Sequence, residues 1–222
     1  MVHTAKVRGL YGQSDGTVLD GDVEMDEMYL GGRETNKHES KKTEGTQGRS
    51  TKTKTPIFGM IEREGNVVAM KVEDSKGATL LPIVGQFVAD TARVYTDEYI
   101  AYNALDRRYC RQFVNHKRRE FVRSNDIHTN SIEGFWAHFK RVVFGTYHCV
   151  SKDYLQRYID EQVYRWNTRD EKASFRFSDM FTKACKKFDY NDVLSLSSVV
   201  DVEYRKFRTA VYNHWYTHKR TA

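Results

Sequence analysis

Three acidic residues stand in separate segments of the chain and could share a divalent cation. Asp26 lies in VEMDEMYLGG, Asp97 in RVYTDEYIAY and Glu133 in HTNSIEGFWAHFKR. Hard cations such as Mg²⁺ prefer oxygen ligands, and a few carboxylates suffice because Mg²⁺ keeps several waters. Crowded together without a cation, the three acids would repel one another and raise at least one pKa. The residue types therefore predict a metal site, provided that the fold brings them together.

The segment around Glu133 has the period of an amphipathic helix. Glu133 and Lys140 are seven residues apart, almost two helical turns, so they share a face. The apolar residues beside that face recur at steps of four, three and four: Ile132, Trp136, Phe139 and Val143. Taken alone, the charged pair is also typical of a solvated helix surface. The segment predicts a packed helix with a carboxylate and an ammonium group at its rim.

Both aspartates follow segments with strand character. Residues 17–26 alternate in part between apolar and polar types and precede the glycine pair Gly31-Gly32, which places Asp26 near the end of a predicted strand. Residues 92–96 are mostly β-branched or aromatic, and a helix is predicted over 98–105. Acids at strand ends recur at binding sites, although each aspartate alone is also an ordinary cap or turn residue.

The remaining pattern predicts the elements that must position these acids. Strands are expected over 56–62 and 67–73, joined as a hairpin through Gly65-Asn66. A helix over 79–89 would carry Pro82 in its first turn, and a short strand over 111–114 precedes the Glu133 helix. Further helices are expected from a Ser151 cap to about Trp166, with Tyr154 and Leu155 on its apolar side, over 178–188, and from Val200 onward.

Six motifs, taken in order, resemble the DDE transposase domain of the ISXO-like insertion sequences, the bacterial relatives of the Merlin transposons. The resemblance covers roughly residues 17–170 and rests on VEMDEMYLGG, VYTDEYIAY, VNHKRREFV, HTNSIEGFWAHFKR, VFGTYHCVS and YLQRYIDEQVYRWNTR. It implies an α/β fold with an RNase H-like mixed sheet flanked by helices, followed here by extra C-terminal helices. The implied activity is DNA cleavage and strand transfer at transposon ends.

The resemblance also implies which residues carry the chemistry. Asp26, Asp97 and Glu133 match the catalytic, metal-binding triad, which would hold two Mg²⁺ ions, with Mn²⁺ as a substitute. Lys140 matches the downstream lysine of the family. Asn130 is the alternative third ligand, and Glu133 is preferred because a carboxylate binds a hard cation better than an amide does.

Several polar residues are candidates for DNA contact. Lys117, Arg118 and Arg119 form a basic cluster between the second and third acids, where the implied fold would put them near the substrate groove. The other candidates are His116, His128, Asn130, Lys140 and Arg141. Residues 33–55 hold seven Lys or Arg against three Glu and no apolar residue, which predicts a mobile basic loop that either contacts phosphates or only aids solubility.

Domain organisation and location follow from composition and from the resemblance. Residues 1–170 are the expected catalytic domain, and residues 171–222 a helical C-terminal extension. No apolar stretch is long enough to span a membrane. The three cysteines are far apart and lack CxxC spacing, which indicates a protein of a reducing compartment and no zinc ribbon in this chain. We expect a cytoplasmic protein associated with a prokaryotic nucleoid. DNA is its expected partner, and a homodimer or higher multimer its expected assembly.

Two other functions remain open at this point. A nuclease of the same fold would cut DNA without joining ends. A DNA-binding or assembly module that had lost its chemistry would bind DNA with a salt-dependent affinity and would show no cleavage. Family members often carry an N-terminal zinc ribbon or helix-turn-helix, whereas this chain begins close to its first predicted strand. End recognition is therefore expected to come from elsewhere, unless the chain is a fragment or a natural short form.

Overall fold

A computed structural model describes residues 17–31, 38–42, 51–115, 122–123 and 126–187. The chain divides into two compact units, Met1–Lys172 and Ala173–Ala222. The first unit is built on a five-stranded mixed sheet in the order β3-β2-β1-β4-β5. Its strands are β1 (Asp22–Gly31), β2 (Lys54–Glu62), β3 (Val67–Lys71), β4 (Arg93–Thr96) and β5 (Cys110–Phe113). The predicted α/β class with a mixed sheet is confirmed.

The sheet changes from antiparallel to parallel pairing at β1. β1 pairs antiparallel with β2 from Val23 to Gly31, and β2 pairs antiparallel with β3. β4 runs parallel to β1, and β5 runs parallel to β4. The predicted hairpin through Gly65-Asn66 is confirmed: the Glu62 amide donates to the Asn66 carbonyl at 2.9 Å, and Glu64 takes a positive φ of 61° in the turn.

Helices cover both faces of the sheet. α1 (Gly77–Phe87) and a 3₁₀ helix (Ile100–Arg107) pack on one face, around Val23, Met25 and Leu80. α2 (Asn130–Val142) and α3 (Leu155–Asn167) pack on the other, around Met28, Ile132 and Ile159. A small hairpin of β6 (Val122–Arg123) and β7 (Ile127–His128) precedes α2, and a π-helical turn (Val143–Tyr147) follows it. The sequence pattern did not predict the small hairpin.

α1 begins two residues before its predicted start, so Pro82 lies inside the helix and not in its first turn. The carboxylate of Asp74 explains the earlier start. Its Oδ1 accepts hydrogen bonds from the Lys76 amide at 3.0 Å and from the Thr79 hydroxyl at 2.6 Å. These bonds hold the chain in a turn just before Gly77, which lets the helix begin there.

α3 begins later than predicted. Ser151 does not cap it, since the helix starts at Leu155, and Tyr154 is 45% exposed and so lies off the apolar side. The helix covers the edge strand β3 with polar side chains. Asn167 bonds both the amide and the carbonyl of Val67, at 2.8 and 3.0 Å, and Gln156 accepts from the Lys71 amide at 2.7 Å. These contacts satisfy backbone groups that an edge strand otherwise leaves open.

The two remaining predictions concern the basic loop and the C-terminal helices. β2 begins at Lys54, so residues 54–55 belong to the sheet and not to a loop, and residues 39–41 form a short 3₁₀ helix. Within the range 33–55, residues 33–37 and 43–50 lie outside the described residues. In the second unit the helix predicted over 178–188 is α4 (Ala173–Lys187), which begins five residues earlier. The stripe from Val200 lies outside the described residues. None of the described helices is long and apolar enough to cross a membrane.

Candidate active site

The strand register brings Asp26 and Asp97 toward each other. β1 and β4 pair in parallel from Asp22 with Arg93 to Glu24 with Tyr95, and no further. Asp26 and Asp97 each lie two residues beyond that last pair, at the point where the two strands separate. Asp26 therefore lies mid-strand in β1, not near a strand end as predicted, because β1 continues beside β2 to Gly31. Asp97 follows the end of β4, as predicted.

The backbone at Asp97 is fixed by neighbouring side chains. Its carbonyl accepts hydrogen bonds from the Thr96 hydroxyl at 2.8 Å and from Arg111 Nη2 at 3.3 Å. Its carboxylate Oδ1 accepts from the Tyr99 amide at 2.9 Å. The Arg111 side chain is only 2% exposed and also pairs with Asp106 at 3.1 Å. The Asp97 carboxylate thus has a defined direction on a half-buried turn.

Glu133 lies in the first turn of α2 and is exposed. The predicted stripe is confirmed: Ile132, Trp136, Phe139 and Val143 are all buried, and Phe135 joins them. The helix packs closely on the sheet because Gly59, the β2 partner of Asp26, has no side chain. A Cβ at Gly59 would lie 2.7 Å from Cη2 of the Trp136 ring, closer than real Cβ atoms approach. The contact brings α2, and with it Glu133, close to the strand that carries Asp26.

The pKa of Asp26 depends on its burial and on the charges of nearby acids. Burial raises the pKa of Asp26 to about 8, and the charges of Glu27, Asp97 and Glu133 add to the effect, against a hydrogen bond from the Glu27 amide that lowers it. Each of these charges disfavours a second negative charge nearby. Asp26 therefore holds a proton at neutral pH in the protein without a cation. A strong shift of this kind is typical of functional sites.

The three acids do not form a finished metal site. Within the described part of the chain, no group of three or more His, Cys, Asp or Glu side chains is arranged to hold a metal ion. The donors nevertheless suit a hard cation in their chemistry, since all three are carboxylates. The crowding of negative charge at Asp26 is a second observation in favour of a cation, which would relieve it.

A cluster around Glu24 was missed by sequence reasoning. Glu24 is fully buried, on the same face of β1 as Asp26. Its carboxylate accepts from Arg63 Nε at 2.8 Å, from the amides of Ser131 and Ile132 at 2.7 and 3.0 Å, and from the Ser131 hydroxyl at 3.1 Å. The only signal in the sequence was an acid two residues before Asp26, hence on the same strand face.

The predicted DNA-contact residues have different surroundings. Lys140 and Arg141 are exposed in the last turn of α2, and Asn130 is exposed at its start. The ring of His128 is half-buried, with Nδ1 at 3.2 Å from Glu24 Oε1. The remaining candidates lie outside the described residues: His116, Lys117, Arg118 and Arg119.

Comparison with known proteins finds similarities in sequence and in structure. The sequence profile of the ISXO2-like transposase domain matches residues 18–167. A Haemophilus influenzae protein described as an uncharacterized transposase-like protein is 29% identical over 118 residues, which cover 53% of this chain and 94% of that protein. Among solved structures, a chain from the cryo-EM structure of the simian T-cell lymphotropic virus intasome in complex with PP2A regulatory subunit B56 gamma is 10% identical with a TM-score of 0.39. The match covers 68% of this chain and 50% of that one.

Proposed function

The chain belongs to the ISXO2-like transposase family, and on this premise we propose that residues 1–170 are the catalytic domain of a DDE transposase. The domain would cleave phosphodiester bonds at the ends of an insertion sequence and join the freed 3′-hydroxyls to target DNA. The observation that carries the proposal is geometric: the pairing of β1 with β4 ends two residues before Asp26 and Asp97, and α2, which carries Glu133, packs on Gly59, the β2 partner of Asp26. The pKa of Asp26, raised by burial and then by the charges of Glu27, Asp97 and Glu133, agrees with this arrangement. A crowded set of acids of this kind suits a site built for cations.

We assign the sheet to the RNase H-like class. Three antiparallel strands followed by two parallel ones, in the order β3-β2-β1-β4-β5, support this assignment. In this arrangement β1 and β4 are neighbours; Asp26 lies in β1 and Asp97 directly after β4, each two residues beyond the end of their pairing. α2 packs on the face of the sheet that includes Met28 and Asp26, and it carries the third acid, Glu133.

Asp26, Asp97 and Glu133 are the proposed ligands of two Mg²⁺ ions, for which Mn²⁺ would substitute. When bound, the ions would activate the attacking oxygen and stabilise charge on the phosphate and the leaving oxygen. The described residues contain no complete set of ligands, so water molecules and the substrate phosphate would supply the remaining ligands. Asn130, at the start of α2, is the alternative third ligand.

The other residues of the chain would bind and orient the substrate. Asp26 would hold a cation as a carboxylate, its proton having passed to solvent, because only the carboxylate form coordinates a cation well. Lys140 and Arg141, exposed at the end of α2, would contact phosphates of the bound DNA. Lys117, Arg118 and Arg119 would extend that surface. Bridging two DNA ends requires a homodimer or higher multimer.

The test uses the full chain with a supercoiled plasmid that carries the DNA flanking its own coding region. With Mn²⁺, we expect nicking of the plasmid and, with a duplex that has a free 3′-hydroxyl, joining of strands. Asp97→Asn and Glu133→Gln should each reduce both reactions to background. Asp90→Asn is the matched control. Asp90 is 70% exposed and lies before the first residue of β4, whereas Asp97 follows its last residue.

The outcome distinguishes three functions. Cleavage and joining that both depend on Asp97 support a transposase. Cleavage without joining would instead indicate a nuclease of the same fold. DNA binding that depends on salt, with no cleavage and no effect of Asp97→Asn, would contradict both enzymatic functions and indicate a binding module.

A further inference from the structure

We propose that Glu24 is a positioning residue that sets the location of Glu133 relative to Asp26. The proposal rests on the proposed function, since it concerns how the acids of that site are held. Glu24 coordinates nothing in this scheme; it acts through the helix that carries Glu133. The observation behind it is a fully buried carboxylate in β1 bonded to the first turn of α2.

The bonds of Glu24 are divided between its two oxygens. Oε2 accepts the backbone amides of Ser131 and Ile132, the second and third residues of α2. Oε1 accepts Arg63 Nε and the Ser131 hydroxyl, and it lies 3.2 Å from His128 Nδ1. The first amides of a helix lack partners within the helix, and an anion there interacts favourably with the helix dipole. Glu24 therefore supplies, from a strand, the cap that the Thr129 side chain does not supply.

The position of this cap connects two of the acids directly. Glu24 is two residues before Asp26 on the same face of β1. The amides that it accepts are one and two residues before Glu133. A single carboxylate thus joins the strand of one acid to the helix of another by a short path. Removing it would free the start of α2 while the apolar stripe still held the rest of the helix.

Arg63 extends the same arrangement to the third acid. Its guanidinium lies 4.1 Å from the centre of the Tyr95 ring, and Tyr95 is two residues before Asp97 and is the β4 partner of Glu24. Arg63 also donates to the His128 carbonyl at 3.1 Å. The Glu24–Arg63 pair therefore contacts β1, β4 and the chain entering α2, the three segments that carry the acids.

A buried ion pair could also serve stability alone, and the molecule offers a matched control for that role. Glu161 in α3 is 5% exposed, accepts from the Tyr147 hydroxyl at 3.0 Å and pairs with Arg165 at 3.0 Å. Like Glu24, it is a buried carboxylate bonded to a hydroxyl and to an arginine, and these two partners lie in the π-helical turn and in α3. Glu24→Gln and Glu161→Gln each replace a buried carboxylate by an amide of the same shape.

The experiment compares the two variants with the wild-type full chain by three measurements. These are thermal unfolding, amide hydrogen exchange, and Mn²⁺ affinity by calorimetry without DNA. We expect both variants to lose thermal stability. Glu24→Gln alone should speed exchange at the amides of Ser131 and Ile132 and weaken Mn²⁺ binding by about 10- to 100-fold, the usual effect of removing a residue that orients metal ligands. Glu161→Gln should keep the wild-type Mn²⁺ affinity.

The results separate this proposal from the proposed function. If the wild-type chain binds Mn²⁺ and cleaves DNA but Glu24→Gln binds Mn²⁺ as tightly as Glu161→Gln does, the positioning role is overturned and the function stands. If the wild-type chain neither binds Mn²⁺ nor cleaves DNA, the function fails and the positioning role fails with it. Should Glu24→Gln not fold, Arg63→Lys keeps the charge and loses the Nε contact. It should weaken Mn²⁺ binding in the same direction, and wild-type affinity in Arg63→Lys would overturn the proposal.

Discussion

The two faces of β1 carry acids with different surroundings. On the face toward α1, Glu27 lies among apolar residues and accepts a hydrogen bond from the buried Tyr102 hydroxyl. Burial, and next the Glu27 charge, raises the pKa of that hydroxyl well above its ordinary value, so it remains a donor. On the face toward α2, Glu24 is bonded to backbone amides and Arg63, and Asp26 lies near the charges of Asp97 and Glu133.

Neighbouring acids on one strand need not share a role. Successive side chains of a strand point to opposite faces, so Asp26 and Glu27 enter different halves of the domain. On the α1 face, Glu27 accepts a hydrogen bond from the neutral Tyr102 hydroxyl inside an apolar core. The α2 face gathers acids from three segments. We therefore expect substitutions on the α2 face to change chemistry, and substitutions on the α1 face to change mainly stability.

The largest expected difference is between Asp26→Asn and Glu27→Gln. Asp26→Asn should reduce plasmid nicking with Mn²⁺ to background, because an amide is a poor ligand for a hard cation. Glu27→Gln can still accept the Tyr102 hydrogen bond, so nicking should remain. The test measures the nicking rates of both variants side by side, and thermal unfolding checks that both are folded. Equal loss of nicking in two folded variants would remove the distinction between the faces.

The second prediction is a pH dependence of cation binding. The pKa of Asp26 is raised from 3.8 to about 8, so between these values the folded protein holds a proton that the unfolded chain has released. The free energy of unfolding without metal should therefore fall as pH rises through this range. Because cation binding displaces the proton, Mn²⁺ affinity should rise by roughly tenfold per pH unit up to about pH 8. Calorimetry at several pH values measures it, and a flat profile would contradict the expectation.

Glu27→Gln sharpens the same measurement. Removing the Glu27 charge should lower the pKa of Asp26, since that charge is the second largest cause of its shift. The rise in Mn²⁺ affinity should then level off at a lower pH than in the wild-type chain. An unchanged profile would show that Glu27 does not act on Asp26 across the strand.

The third prediction compares two lysines on opposite faces of the sheet. Lys140 is exposed in α2, and Lys76 is 79% exposed beside the start of α1. Lys140→Ala should weaken DNA binding. It should also make the slope of the logarithm of the binding constant against the logarithm of the salt concentration shallower by about one, the contribution of one phosphate contact. Lys76→Ala should change neither quantity. Titrations of labelled duplex DNA at several salt concentrations measure both, and equal effects would show that DNA does not prefer the α2 face.

The smallest expected effect compares two glycines. In Gly59→Ala the new methyl group meets the buried Trp136 ring, which should cost about 1–3 kcal/mol of stability through overpacking. In Gly85→Ala it meets only Arg108 Nη1, at 2.8 Å, the end of a half-exposed and flexible side chain. Within a helix, an alanine is more stable than a glycine by roughly 1 kcal/mol, so Gly85→Ala should leave the free energy of unfolding unchanged or increase it. Urea unfolding of both variants tests the pair, and a stable Gly59→Ala would mean that α2 can shift freely.

Much of the fold could be predicted because it depends on local pattern. The stripe of α2, the hairpin through Gly65-Asn66 and the strand before Asp97 all follow from periods of two or 3.6 residues and from turn residues. Boundaries were less predictable because side chains nearby in the chain adjust them. The start of α1 depends on Asp74, for example, and no period reveals that contact.

The candidate site residues were named from the sequence and remain predictions, whereas their arrangement in the fold could not be read from it. Asp26 was expected near a strand end, whereas β1 continues past it because β2 pairs along its whole length. Glu24 was not singled out, because its partners Ser131 and Ile132 are more than 100 residues away. An acid with a distant partner looks the same in a sequence as an acid without one.

By itself the sequence determined the α/β class, the family and the amphipathic helix that carries Glu133, because composition, motif order and helical period are properties of short segments. Only the tertiary structure decided which acids face one another. The short parallel pairing of β1 with β4 brings Asp26 toward Asp97, and the bonds from α2 to Glu24 hold Glu133 beside them. Such proximity arises from pairing between distant segments. The same packing buries Asp26, which is the main cause of its raised pKa, and the charges of Glu27, Asp97 and Glu133 add to the effect.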